Sequence, residues 1–477
     1  MDPVLLLIVF LFFSVLSVML VIDRKIFHGD AFSPGSIFVY FSFLSGFTLF
    51  WFSLSNASIE RLVFDVVDGI YRDMGLVREA YLYTLLGIVA TYIGIFVGGA
   101  VKHPYFNHVL DGIVGAGILE KNTKDVCRRG CFRTGMMIFL SGVFVYVYFI
   151  YQMGGLTDLW LNLNERVGRS AGLGYLQGFY TFSVFLGSLL IVYSCFRRRS
   201  FLVATLVILG AIFILASLGQ RGPVAEYIFA LIILYHYKVK TIRRILTFKK
   251  IFLCLLLLMF MVVSVQFRVP GSIEKYAAAP GELLVDVSNT FERHVIARFG
   301  RVERDIVVLK YFKDNELWYG ASYSSLITAP LPRNIYEEKP PVDTGRYLLA
   351  MSKGEIIYPP IPVSDLPSSS WPDGNWAGYM NFHFPGFILA FFLSGLILGM
   401  VYQYMCYKRM TVGAVAFYAI FSWGGAPSVS PMGVVSIAIS VAMLVFWCSV
   451  FRMVPPFMRK IGTLNNKGLE DANRLIK

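Results

Sequence analysis

GYMNFHFPGFILAFFLSGLILGMVYQYMC, Gly378 to Cys406, joins a polar and aromatic stretch to an apolar run without one charged side chain. From Phe384 to Cys406 that run is 23 residues long. An α-helix needs about 20 apolar residues to cross a hydrocarbon core of about 30 Å. In hydrocarbon the backbone must satisfy its own hydrogen bonds, which a helix does. The stretch therefore predicts a membrane span that follows directly on the polar sequence ending in Phe382-His383.

Comparable runs lie on both sides of it, at 4–22, 36–55, 80–100, 134–151, 178–195, 201–218, 223–237, 251–267, 411–424 and 432–451. The fold class expected is all-α: a polytopic membrane protein of about eleven transmembrane helices. Eight precede residue 268, three occupy 384–451, and a polar tail fills 452–477. Composition agrees, with 56% hydrophobic and 15% charged residues and a mean hydropathy of +0.63; soluble domains carry about 25% charged residues. A formal charge of +13 would suggest nucleic acid in a soluble protein. Here the basic residues sit between apolar runs, where they set topology and meet anionic lipid, so membrane lipid is the expected partner and nucleic acid is not. Met1 to Val21 lacks the cationic start of a secretory signal and runs into Asp23-Arg24-Lys25, so it is read as an uncleaved first span.

Lys and Arg then orient the chain, because short basic loops stay cytoplasmic. Alternate connections carry 25 Lys and Arg on one side against six on the other. This puts the amino terminus and the 268–383 segment on the periplasmic side of a bacterial inner membrane, with the tail cytoplasmic. The six cysteines fall in or near spans or in one short loop, and none lies in 268–383. Cys127 and Cys131 lack the two further close ligands of a structural zinc site. No phosphate-binding loop or dinucleotide fingerprint is present in a strand-to-helix context, so no metal and no cofactor is expected.

The segment 268–383 is the longest interval without a membrane-length run and holds twelve Lys and Arg and about half of the prolines. Loops beyond about 12–15 residues are uncommon unless they are functional or disordered, and this one reads as a polar, cationic working surface. After Ser288-Asn289-Thr290 the sequence keeps a helical period to about 312. Phe291, Val295, Phe299, Val302, Ile306 and Leu309 form one stripe, with His294, Arg298, Arg301 and Asp305 beside it. Such a helix can bind phosphate groups or lie on the membrane surface with its arginines on lipid headgroups. Trp371-Pro372-Asp373-Gly374-Asn375-Trp376 and Tyr379 to His383 set rings beside Asp and Asn, as a sugar site does, and equally as an interfacial anchor does. Arg221 stands at the mouth of two apolar runs, where an unpaired cation is costly and a functional role is the default; a snorkelling side chain is the alternative.

The architecture, the Arg221-Gly222 step opening a run, PLPRNIYEEKP from Pro330 to Pro340 and GYMNFHFPG from Gly378 to Gly386 resemble the bacterial O-antigen polymerases, the oligosaccharide repeat-unit polymerases of the Wzy type. The likeness covers most of the chain by architecture and three short stretches by motif. Ala377 stands where the family often has an acidic residue, and His383 where it has glycine. The resemblance implies a GT-C-like integral-membrane glycosyltransferase with one large periplasmic loop. Its substrate would be a polyprenyl-diphosphate-linked oligosaccharide, and a chain-length regulator protein would be among its partners.

Cleaving a glycosyl–phosphate bond puts negative charge on a diphosphate, which fixed guanidinium groups stabilise. Arg221, Arg298, Arg301 and Arg333 are the candidates for that role. His294, Asp373 and His383 are candidate bases, and Trp371, Trp376, Tyr379 and Asn381 candidate glycan contacts. An O-antigen ligase using the same donor, or a lipid-linked oligosaccharide flippase, would be the alternatives.

Overall fold

A computed structural model of the chain describes residues 3–54, 74–100, 126–161, 173–198, 200–218, 222–242, seven positions between 275 and 285, 302–331, 335–367, 371, 374–408 and 410–453. Among these residues every regular element is helical. In order they are α1 (Pro3–Ile26), α2 (Pro34–Leu54), α3 (Met74–Ala100), α4 (Val126–Gln152), α5 (Leu156–Leu161), α6 (Gly174–Arg198), α7 (Phe201–Ala216) and α8 (Gly222–Lys238). After them come α9 (Val302–Asp314), α10 (Gly345–Ser352), α11 (Ala377–Tyr407), α12 (Val412–Ser422) and α13 (Pro431–Met453).

Helices cover ten of the eleven apolar runs, and the run 251–267 lies outside the described residues. Five helices, α1, α3, α4, α6 and α11, are long and apolar enough to cross a membrane; α7, α12 and residues 431–447 of α13 are shorter and apolar. Large apolar side chains point outward along them, Phe10, Phe144 at 76% exposure and Leu202 at 74% among them. A surface of that kind needs lipid against it, so this is a helical membrane protein.

Glycines set the closest helix pair. α3 carries Gly94 and Gly98 and α11 carries Gly395 and Gly399, each pair four residues apart. A Cβ at Gly94 would collide with the carbonyl oxygen of Phe392, and one at Gly395 with that of Thr91. Small residues at this spacing let two backbones touch, as in other membrane helix pairs. The contacts advance together along both chains, so α3 and α11 run parallel. α4 and α6 run antiparallel, with Gly135 against Gly187 and Gly142 against Ser183 and Val184.

The bundle has two distinct ends. At one, α9, α10 and the turns around them cap the start of α3: Thr84 of α3 donates to Asp305 of α9 at 3.2 Å, and Tyr83 packs edge-on against Tyr379 of α11. We call this the loop end. At the other, Asp30 between α1 and α2 accepts from Tyr237 of α8 at 2.6 Å and from Tyr402 of α11 at 2.8 Å, and lies 3.1 Å from Nε2 of His236. Burial alone would raise the Asp30 carboxyl, but those contacts, with the Phe32 amide, bring it below the ordinary carboxylate value. Beside it Asp23, fully buried, accepts from Ser33 and from Ser36.

The expected amphipathic helix at 290–312 is described only from Val302 onward, as α9. There the structure corrects the surface reading. Asp305, placed by its spacing on the polar strip, is 3% exposed, and Ile306 to Leu309 are all buried, packed toward α3 and α10. Four consecutive buried positions leave no room for a lipid-facing side, so this part of the helix is enclosed by protein.

Candidate functional site

GYMNFHFPG folds as a sharp break at the head of α11. The helix starts at Ala377, loses helical geometry at Phe382 and His383, and resumes through Pro385. Proline is well placed there, because the first turn of a helix does not need its N–H. Gly378 and Gly386 face each other across the break, each occupying the space where a Cβ on the other would collide with a carbonyl oxygen. His383 takes φ 56° and ψ −149°, a region that essentially only glycine enters without strain. Position 383 thus holds a backbone that suits the glycine expected from the resemblance, with a histidine in its place. Its Nε2 lies 3.2 Å from the hydroxyl of Tyr379, and the side chain is exposed at the loop end.

The other candidate contacts separate by burial. Asn381 is fully buried: its amide nitrogen donates to Ser322 Oγ at 2.8 Å and to the Ala377 carbonyl at 2.7 Å, and its oxygen accepts from the Gly320 amide at 3.0 Å. Trp376 is 1% exposed, wedged against Tyr83, Tyr379 and Phe387. With the polar atoms of Asn381 and the ring of Trp376 already occupied, these two side chains brace the turn in this arrangement, as does Tyr379, also buried. Trp371 is half-buried; its amide donates to the Gly345 carbonyl at 3.0 Å.

Arg221, His294, Arg298, Arg301, Arg333 and Asp373 lie outside the described residues. The nearest described cation is Arg304, whose guanidinium grips Asp305 at 2.6 Å. The segment 268–383 is not cationic overall, because fourteen Asp and Glu outnumber its twelve Lys and Arg. Cationic character has to come from local clusters of arginine, not from the segment as a whole.

The bundle opens into a cavity of about 720 Å³ between α6, α8, α12, α13 and the 424–430 connection. Ser394 of α11 donates to the Pro427 carbonyl, Asn375 accepts from the Val429 amide at 2.8 Å and Tyr323 donates to the Val429 carbonyl at 3.2 Å. These bonds fasten the cavity rim to the loop end. Its lining combines the aromatic side chains of Phe182, Phe185, Phe421 and Trp423 with the polar ones of Gln177, Thr181, Ser428, Ser436, Ser440 and Glu226. Such a mixture of ring faces and hydrogen-bonding groups is what binding sites for polar organic ligands share.

Glu226 was missed in reading the sequence, yet its signal was there. It is the only Asp, Glu, Lys or Arg inside any of the eleven apolar runs. Among the described residues no group of three or more acidic, His or Cys side chains is placed to hold a metal ion.

No family model matches the chain, and no curated protein or solved structure is significantly similar to it.

Proposed function

We propose that this protein is a membrane glycosyltransferase that joins polyprenyl-diphosphate-linked oligosaccharide repeat units into a surface polysaccharide at the loop end of its helix bundle. The observation that carries the reading is the cavity. It lies among apolar helices, as a lipid-linked substrate requires. Its rim is hydrogen-bonded to Asn375, which precedes the GYMNFHFPG turn, and to Ser394, which follows it, and its walls combine aromatic rings with hydroxyl, amide and carboxyl groups. Arg221, the residue before α8, is proposed with Arg298, Arg301 and Arg333 to hold the diphosphate, where planar bidentate guanidinium groups stabilise a leaving oxyanion. Glu226 sits in the second turn of α8, near the loop end. Transporters usually place such groups near the bilayer midplane on broken helices, so this position favours chemistry at one face over passage through the bundle.

The deciding experiment uses the purified protein in lipid nanodiscs with a synthetic polyprenyl-diphosphate repeat unit. A ladder of products differing by one repeat supports polymerisation. Transfer of a single unit to lipid A core, with no ladder, would make the protein a ligase, and no transfer to either acceptor overturns the glycosyltransferase reading.

A further inference from the structure

We infer that Glu226 is the base that takes the proton from the attacking sugar hydroxyl, and that the polar side chains lining the cavity form the acceptor site. This rests on the reaction proposed above and adds to it a residue and a binding position. Three observations converge on the carboxyl. It is the sole Asp, Glu, Lys or Arg side chain in eleven apolar runs, and an ionisable group in that setting is functional by default because its desolvation is otherwise uncompensated. It lines the 720 Å³ cavity instead of a helix contact. It makes no hydrogen bond or ion pair with any described residue, whereas Asp305 at the loop end is committed to Arg304 and Thr84, and Asp30 at the opposite end to two tyrosines and His236.

The surrounding groups specify a sugar. On α6, Gln177 and Thr181 are four residues apart and share a face with Phe182 and Phe185; on α13, Ser436 and Ser440 repeat that spacing. Hydroxyls and an amide can both donate to and accept from sugar hydroxyls, and Trp423 with the phenylalanines offers ring faces to C–H surfaces. A metal ion would call for several anionic or imidazole ligands, and the cavity lining offers one carboxylate. In the step itself the acceptor oxygen forms a bond to the anomeric carbon of the donor, and the bond from that carbon to the phosphate oxygen breaks. The bonding pair leaves with the polyprenyl diphosphate. The hydroxyl proton passes to the Glu226 carboxylate and from there to water.

The test compares wild type with Glu226→Gln and Glu226→Asp in the nanodisc assay, across pH and at saturating donor. General bases contribute about 10²–10⁴ in rate. Glu226→Gln is expected to lose at least 10²-fold in kcat, to keep the donor KM within threefold, and to lose the fall in rate that wild type shows as acid protonates the carboxylate. Glu226→Asp is expected to lose about tenfold while keeping that acid limb. Melting curves in detergent identify a folded variant; if the glutamine variant does not fold, the aspartate variant decides. A glutamine variant within threefold of wild type, or one that loses rate but keeps the acid limb, overturns the assignment while the glycosyltransferase reading stands. A wild-type protein that makes no product overturns both.

Discussion

At the loop end of the bundle a carboxyl faces a cavity without a partner among the described residues; at the opposite end two carboxyls accept hydrogen bonds from neighbouring side chains. Asp30 is held by Tyr237, Tyr402 and His236, and one oxygen of Asp23 by two serines, its Oδ1 having no partner among the described residues. Both ends bury charge among apolar helices, and in both the cost of desolvation must be offset. Where the offset comes from other side chains, the group is part of the scaffold. Where it does not, the free hydrogen-bonding capacity is available to a ligand. That distinction assigns work to the Glu226 end and joinery to the Asp30 end.

The largest expected effect tests the catalytic side. If Arg221 and the Arg298/Arg301 pair bind diphosphate through planar, two-point contacts, lysine keeps the charge and loses the fork. Arg221→Lys, and separately Arg298→Lys with Arg301→Lys, should each lower the polymerisation rate by about 10²–10³, equivalent to about 3–4 kcal/mol of transition-state stabilisation. Protein level and membrane insertion should be unchanged. Full product ladders from both variants would move the diphosphate site elsewhere, since surface ion pairs that tolerate lysine are worth under about 1 kcal/mol.

The next effect tests the scaffold side. Asp30→Ala leaves two tyrosine hydroxyls and an imidazole without their acceptor, and the loss of stability should be about 2–4 kcal/mol. Read as a melting temperature in detergent, this is a clear drop. The rate per folded molecule should stay near that of wild type; a folded variant that is inactive would show that the two ends are coupled. The same group gives a pH dependence with a definite sign. Because the folded carboxyl sits below its ordinary value of 3.8, its contribution is fully present above that value and is lost as pH falls through the folded pKa. Wild type should therefore lose stability relative to Asp30→Ala only in that acid range.

How much of this could be read from sequence differs between the ends for a physical reason. Helices at 4–22, 80–100, 178–195 and 384–406 are legible because apolar length alone decides them. The Asp30 cluster is not, since its partners come from positions 206 and 372 residues away and no local pattern announces them. GYMNFHFPG sits between these cases. Its composition reads as an aromatic anchor or a sugar site, but Asn381 and Trp376 are closed inside the turn, and only the backbone reveals that its two glycines serve close contact. Glu226 is fully legible as a lone charge in an apolar run, whereas the cavity it lines is not, because that cavity is assembled from four helices distant in sequence.

A further test of the scaffold concerns the parallel pair α3 and α11. Gly395→Ala puts a methyl group against the Thr91 carbonyl, and overpacking of this kind costs about 1–3 kcal/mol. A melting temperature unchanged within error would show that the helices separate at no cost and that the glycines are not what sets their distance.

The smallest expected change bears directly on which base acts. His383 holds a glycine-like backbone, a conformation that costs a residue with a Cβ about 1–3 kcal/mol. Glycine at that position relieves the strain but gives up the contact with Tyr379 at 3.2 Å, which is worth about 1 kcal/mol, and glycine also adds freedom to the unfolded chain. His383→Gly should therefore leave stability within about 1 kcal/mol of wild type, with a gain more expected than a loss. Its activity then carries the information. With Glu226 as the base, the folded glycine variant should polymerise within about tenfold of wild type and keep its acid limb, because His383 is not among the residues lining the cavity. A folded, equally stable His383→Gly protein that has lost 10²-fold or more in rate, and whose acid limb has vanished with the imidazole, would transfer the proton-accepting role to His383 and explain why strain is tolerated there.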